Sequence, residues 1–508
     1  MKRIIITITI IISACIAWMS EILAQNATDA LLLSQYYSGS TARSAGMSGA
    51  FGALGGDISV VSFNPAGLAV YRSSEFTFTP GLNFTNTDAQ FDNATFNEKY
   101  SKFILNNIGY AYTKNLYNEK GFQSINFGMA YNRLSDFNSK AYIFSPKAGS
   151  SMLDGFVWYA NHGNNGSPLH PGQLDDYYEG LAYDTHGIKD NVPGMPGYYW
   201  NAYIANGDVY DQPMKRTMYT KGGVGEYAFS LGANLNHTVF FGATLGIQNV
   251  YYEESYFHEE DAGFDDFEYF NFSQDYTLNG TGLNFKAGLI YRPIQMLRLG
   301  AAIHTPTRYW LKPYLLTGME TQFGIPPQGE TDKHFFYEFD NKFEKRFNII
   351  TPWRYQMSAA TILSKFGMAN VDVEYVDYRS CKVLPNADYG DATDEAAETF
   401  KGNVNVKGGA EFRIGQLYLR GGIAYYGSPY KKEFLSELNK SHQGTMSYSG
   451  GIGFRARSFY MDAAYTYMKM PQRDAVLYQT YDDLGMFDVT SLMKTISGKF
   501  LLTFGFRF

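Results

Sequence analysis

Phe500-Leu501-Leu502-Thr503-Phe504-Gly505-Phe506-Arg507-Phe508 closes the chain, and its alternation decides the fold. Phe500, Leu502, Phe504, Phe506 and Phe508 share one face; Leu501, Thr503, Gly505 and Arg507 share the other. Side chains of a strand point alternately to opposite faces, so this is a strand with one apolar and one mixed, charged face.

The same period runs upstream. Phe76, Phe78, Leu82 and Phe84 alternate with Thr77, Thr79, Gly81 and Asn83, and similar series recur near 106–114, 122–133, 226–236, 238–254, 274–291 and 296–305. Further ones lie near 353–364, 366–379, 403–413, 416–426, 446–455, 458–468 and 497–508, about fourteen segments in all. Long links (86–105, 134–225, 255–273, 306–352, 380–402, 427–445 and 469–496) alternate with short ones such as Asn236-His237-Thr238. Long loops at one end, tight turns at the other and an even strand number predict an all-β transmembrane antiparallel barrel. A soluble sandwich has no reason to keep that parity. The terminal Phe508 resembles the assembly signal of such barrels, which makes the barrel-assembly machinery an expected partner.

Composition agrees without deciding. Aromatics reach 17%, with 42 Tyr and 39 Phe, yet mean hydropathy is −0.27. After the first two dozen residues no apolar run is long enough for a spanning helix. At the start, Lys2-Arg3, the apolar run from Ile4 to about Trp18, and Leu23-Ala24-Gln25 read as a signal peptide over 1–25. Ile12-Ser13-Ala14-Cys15 superficially fits a lipoprotein site, but the apolar run continues through Ile16-Ala17-Trp18. Only Cys381 is left in the mature chain, so no internal disulfide and no cysteine-pair zinc site is expected; it reads as an inert thiol. A net charge of −7 with no basic block argues against nucleic acid.

Taking the aromatic face as lipid-facing puts Arg298, Arg354, Asp372, Glu374, Lys407, Glu411, Arg413, Arg420, Asp462 and Arg507 in the lumen as a polar network. Charges there can pair or stay wet, whereas toward lipid they are costly. Residues 26–74 do not read as a spanning strand. Gly46, Gly49, Gly52, Gly55 and Gly56 interleave with Ala45, Ser48, Ala50 and Ala53, a run that permits close backbone packing. Asn64-Pro65-Ala66-Gly67-Leu68 follows as a defined turn. A pore of about fourteen strands leaks unless filled, and this segment has the right length to fill it.

Here a family resemblance appears. Ser44-Ala45-Gly46-Met47-Ser48-Gly49-Ala50-Phe51 and Asn64-Pro65-Ala66-Gly67-Leu68 resemble the hatch of the FadL family of outer-membrane transporters for long-chain fatty acids and other hydrophobic compounds. The hatch motif falls on Asn64, Pro65 and Ala66. Leu297-Arg298-Leu299-Gly300, Gly409-Ala410-Glu411-Phe412-Arg413 and Gly451-Ile452-Gly453-Phe454-Arg455 resemble barrel segments of that family. The resemblance spans the mature chain: a hatch over 26–74, then a barrel over 75–508 whose largest loops are 134–225 and 306–352. The 134–225 loop departs from the better-known members. What the resemblance implies is passive uptake of hydrophobic molecules, fatty acids foremost, with a shift of the hatch and sideways release into the membrane. Phe51, Leu54, Val60, Val61 and Phe63 are the ligand-contact candidates, and Gly109 or Gly128 the candidates for weakened strand pairing.

The remaining expectations are modest. The acidic cluster Glu253, Glu254, Glu259, Glu260, Asp261, Asp265 and Asp266 lacks calcium-loop spacing and reads as a solvated external loop. The eight His give no metal pair, Pro193 to Trp200 reads as an ordered loop, and no nucleophile elbow or phosphate loop occurs. No cofactor, no metal and no enzymatic activity are expected, and a monomer among outer-membrane lipids and lipopolysaccharide is. The competing function is a surface adhesin or assembly partner using the large loops; a barrel hydrolase is a third.

Overall fold

Alternation becomes geometry in the computed structural model, which describes residues 21–37, 39–163, 166–190, 195–203, 210–262, 266–341, 346–434, 444–482 and 485–508. The signal-peptide reading lies largely outside these, since 1–20 are not among them. Fourteen strands form a closed ring: β1 (Glu75–Phe91), β2 (Ala94–Asn115), β3 (Phe122–Asp136), β4 (Met214–Leu235), β5 (Val239–Asp261), β6 (Tyr269–Ile294) and β7 (Leu297–His304). The ring continues with β8 (Arg354–Ile362), β9 (Gly367–Asp377), β10 (Gly402–Ile414), β11 (Leu417–Gly427), β12 (Gly444–Arg455), β13 (Phe459–Lys469) and β14 (Gly485–Arg507). Each pairs antiparallel with the next, and β14 closes on β1 with Phe76 opposite Phe506 and Leu82 opposite Phe500.

The outer face is apolar as the alternation demands. Phe76, Phe78, Phe84, Leu245, Leu283, Phe285, Phe500 and Phe506 are exposed, while their neighbours Thr77, Thr79, Asn83, Thr244 and Asn284 are buried. Trp353, Tyr355, Tyr375, Tyr425, Tyr448 and Tyr465 are also exposed, an aromatic girdle on neighbouring strands. Such a band is stable only against hydrocarbon, and a closed barrel satisfies every strand edge. Among the described residues no helix is long and apolar enough to cross a membrane.

Four expected links are in fact mostly strand, 306–352 among them through Arg308–Gln322, His334–Asn341 and Phe347–Ile350. β1 and β2 run on to a tight turn at Asp92-Asn93, β5 reaches Asp261, and 473–482 forms a hairpin with the start of β14. Above the level of Phe84 these extensions stand beyond the apolar band, where neither face needs to be greasy, so the period-2 signal fades, whereas 101–105 lie level with Leu82 and Phe84. The acidic cluster is corrected with them. Glu253, Glu254, Glu259 and Glu260 are strand residues of β5; Glu253 pairs with Lys221 at 2.7 Å, and Glu260 is buried. Within 134–225, the helices Leu153–His162 and Glu179–Asp184 pack on Phe270, Phe272, Phe323 and Tyr478, capping the outer end of the barrel. Of the Pro193 to Trp200 loop, 193–194 fall outside the described residues, and Tyr199 is buried in this cap.

Candidate functional site

The lumen is filled from within by the chain's own start. The helix Glu21–Ser34 sets Ala27, Ala30, Leu31 and Leu33 against Val250, Tyr252, Leu278, Tyr309 and Val376, in the outer half of the barrel. The chain then descends through the short helix Ala42–Ala45 and two 3₁₀ turns, Ile58–Ser62 and Pro65–Val70, to enter β1 at Glu75. Thr41 and Asp57 cap the first two of these, and Asn64 caps the third. Asn64 Oδ1 accepts from the Ala66 amide at 3.2 Å, while its Nδ2 donates to Gly52 O at 2.6 Å and to Leu289 O of β6 at 3.3 Å. Pro65 at the first helical position has no N–H to leave unsatisfied. The Asn64-Pro65-Ala66 motif is thus a cap that also ties the segment to the wall.

Inward glycines make the seat. Gly232, Gly242, Gly288 and Ala302 lie in one row across β4 to β7. A Cβ on Gly242 would stand 2.1 Å from the Pro65 carbonyl carbon, and one on Gly288 1.9 Å from Asn64 Oδ1. Across the lumen Gly409 and Gly422, opposite each other, meet Met47 in the same way. Gly109 and Gly128 belong to this seat too. Both are paired in register, with Ala130 and Ala111, and face Ile58 and Leu68, so they mark close packing and not the weakened pairing expected of them.

Polar lumen residues hold the segment. Asp372 accepts the amides of Phe51 and Gly52 at 3.0 and 3.1 Å. Glu411 takes Arg43 at 3.0 Å and Arg420 at 2.6 Å; Arg420 also meets Asp462 at 2.8 Å, and Arg455 reaches Asp462 at 3.4 Å. Arg354 pairs with Glu374 at 3.1 Å and stacks over Tyr36, and Lys407 lies 5.6 Å from the Phe63 ring centre. Arg298 donates to Leu54 O, and Arg507 meets Glu75 at 2.8 Å near the periplasmic rim. Arg413 stands apart, exposed beside the turn at Gly415. Arg43, Asn106, Asn132 and Thr244 complete the set: Asn106 holds Ser40 O at 2.7 Å, Asn132 holds Ser62 Oγ at 2.8 Å and Thr244 holds Val61 O at 2.9 Å. Sequence alone gives no signal for Asn106, Asn132 and Thr244, because only the strand register aims them at the segment, and Arg43 gains its partner only from the register of Glu411.

Phe51, Leu54, Val60 and Val61 are buried in the segment's own clusters, Phe51, Leu54 and Val60 with Met47 and Ala360, Val61 with Ile58 and Leu68. Phe63 is half-buried. Cys381 is buried 3.6 Å from Ser34 Oγ, and burial pushes its thiol up to about 12, so it carries no thiolate chemistry.

One stretch of wall lacks backbone closure. Pairing between β2 and β3 runs from Asn115↔Ser124 to Asn107↔Asn132 and stops. Beyond it, 94–105 of β2 pair with β1 alone, while β3 stays on β4 with an extra residue at Leu134. The chain then turns behind β1 and β2: Asn138 takes Lys102 at 3.2 Å and Thr85 at 3.0 Å, and Lys140 meets Glu98 at 3.0 Å. On the outer face beside the seam lies a half-open groove of about 220 Å³ lined by Phe103, Leu105, Tyr131, Arg133, Gly223 and Tyr251, of which Phe103 and Tyr251 are exposed.

A closed barrel with a greasy band, filled by its own leading segment and split along one seam, defines the class: a plugged transmembrane β-barrel of the outer-membrane kind. No protein-family model and no curated protein matches the sequence. Solved structures do. A FadL homologue of Pseudomonas aeruginosa aligns over 93% of this chain and 99% of its own at TM-score 0.51 and 12% identity. The toluene transporter TodX of Pseudomonas putida aligns over 94% of this chain and 100% of its own at TM-score 0.50 and 10% identity. The chain therefore has the fold of the FadL-type outer-membrane transporters.

Proposed function

We propose that the chain carries hydrophobic small molecules, long-chain fatty acids foremost, passively across the outer membrane. Residues 26–74 act as the hatch, and the seam between β2 and β3 releases the ligand sideways into the bilayer. The observation that carries this reading is the seam itself, where pairing ends at Asn107↔Asn132 beside a groove on the outer face and above a filled floor. A water-filled pore serves greasy solutes poorly. Burial of each CH₂ favours binding by about 0.8 kcal/mol, so the difficulty for a long chain is release, which a lateral route into lipid relieves. TodX, which shares the fold, is a toluene transporter by name, which supports transport over catalysis. Phe51, Leu54, Val60, Val61 and Phe63 become ligand contacts once the hatch shifts.

The test is uptake of labelled oleate by cells that make or lack the protein. Faster uptake with it, lost when Leu105 and Ser135 are replaced by Cys and joined across the seam, is expected. Equal uptake in both strains overturns the proposal.

A further inference from the structure

The seam is shut by charge where it is not shut by backbone. Asp136, at the end of β3, is the carboxylate shared by two cations, Arg133 on its own strand and Lys499 of β14, whose Nζ lies at 2.6 Å. Lys499 sits opposite Asn83 of β1 and opposite Thr466 of β13, so its contact with Asp136 reaches past β1 and β2. Arg133 also donates to Gly222 O at 2.7 Å and lines the groove together with Lys102, whose Nζ meets the neutral Asn138. The Asp136 side chain is 7% exposed, against 16% for Arg133 and 22% for Lys499. The carboxylate is thus the hidden member of the cluster; Arg133 lines the outer groove, and Lys499 reaches the carboxylate from the luminal face.

We propose that Arg133, Asp136 and Lys499 form an ionic latch across the seam, released when the carboxylate of an anionic amphipath takes the place of Asp136 on these cations. This rests on the uptake reading and names its substrate class. Exchange of one carboxylate for another leaves each cation compensated, and the displaced Asp136, at the end of β3, is hydrated as the seam parts. A neutral hydrocarbon chain offers no such exchange: to part the seam it must leave a buried charge without its partner, which is the unfavourable case for an ion pair. The latch therefore selects the head group, while the aromatic walls Phe103, Tyr131 and Tyr251 accept the tail.

The experiment uses the full-length protein in liposomes and compares oleate with oleyl alcohol, equal in chain and different in head group. Wild type is expected to pass oleate about tenfold faster or more. Lys499→Met and Asp136→Asn are expected to bring that ratio close to one, chiefly by admitting the alcohol. A ratio unchanged in both variants, or an equal fall for both ligands, overturns the latch. A second readout does not need transport: with Cys381 replaced by Ala, the rate of alkylation of Ser135→Cys reports opening beside the pair. Oleate and not oleyl alcohol is expected to raise it, and an equal effect of both overturns the latch. If labelling responds to oleate while neither ligand crosses, the latch stands and the uptake reading falls. Heat-dependent gel migration verifies folding, with Lys499→Gln and Asp136→Ser as milder replacements.

Discussion

Pro65 occupies the space a side chain on Gly242 would need: a Cβ there would come within 2.1 Å of the Pro65 carbonyl carbon and 2.4 Å of the Ala66 nitrogen. The obstacle is backbone on both sides, so no rotamer change relieves it. The floor of the barrel is closed by contact between two main chains.

Gly242→Val is accordingly expected to unseat the 3₁₀ turn Pro65–Val70 while the lipid face of β5 stays unchanged. Overpacking of this kind costs about 1–3 kcal/mol and more where only backbone can yield. Single-channel recording in a planar bilayer is the measurement. The variant should show open, leaky current where wild type is quiet, and a quiet variant of unchanged thermal stability would contradict the seat.

Asn64→Ala removes the cap of the same turn and both donors that join it to Gly52 and Leu289. Loss of a cap costs about 1 kcal/mol, and each buried carbonyl left unmet adds roughly as much or more. Hydrogen exchange should show faster exchange of the amides of 51–70 with the barrel strands unaffected. Asn64→Asp, which keeps the cap acceptor but turns a carboxylate oxygen toward Gly52 O and Leu289 O, should exchange at least as fast as Asn64→Ala.

The Glu411 carboxylate stands between Arg43 of the luminal segment and Arg420 of β11. Arg43→Met leaves Glu411 paired with Arg420, whereas Glu411→Leu strands two guanidinium groups, of which Arg420 keeps Asp462. Breaking a buried pair from one side costs about 3–5 kcal/mol. Glu411→Leu should therefore lower thermal stability more than Arg43→Met, and the double variant should recover part of the loss. Strict additivity would mean that the three do not form one network.

The barrel was legible in the sequence because lipid enforces a strict period: Phe76 to Phe84 and Phe500 to Phe508 had to alternate. The extensions 86–91, 94–100 and 485–496 were not, since above the membrane both faces can be polar, and Thr87, Asn97 or Thr495 carry no signal of side. The Asn64-Pro65-Ala66 turn was visible as local chemistry. Its anchors, Leu289 O and Gly242, were not, because they depend on registers more than 170 residues away. Glycines suggested a weak wall at Gly109 and Gly128, yet the wall parts where Leu134 is inserted in β3 and Asn106 in β2, at residues that break no pattern.

The cap over the outer end has a pH dependence of its own. Asp154 Oδ1 accepts from Asn201 Nδ2 at 2.7 Å and from the Tyr210 hydroxyl; Oδ2 accepts from the Ser151 amide at 3.0 Å and from Thr480 Oγ1 at 2.9 Å. Burial raises its carboxyl from 3.8 to about 6; the bonds from Tyr210, Ser151 and Thr480 oppose that shift and nearby Glu260 adds to it. An acid whose affinity for the proton is higher in the closed cap than in the open one stabilises closure while it is neutral. Closure should therefore be firmest below about pH 4, weaken as the pH rises to about 6, and level off above, a span of roughly 3 kcal/mol. Hydrogen exchange of the helix Leu153–His162 between pH 4 and 7.5, corrected for intrinsic rates, measures it. Asp154→Asn should remove the slope, and protection that grows with pH in wild type would mean that the carboxylate is held charged by a cation in the cap.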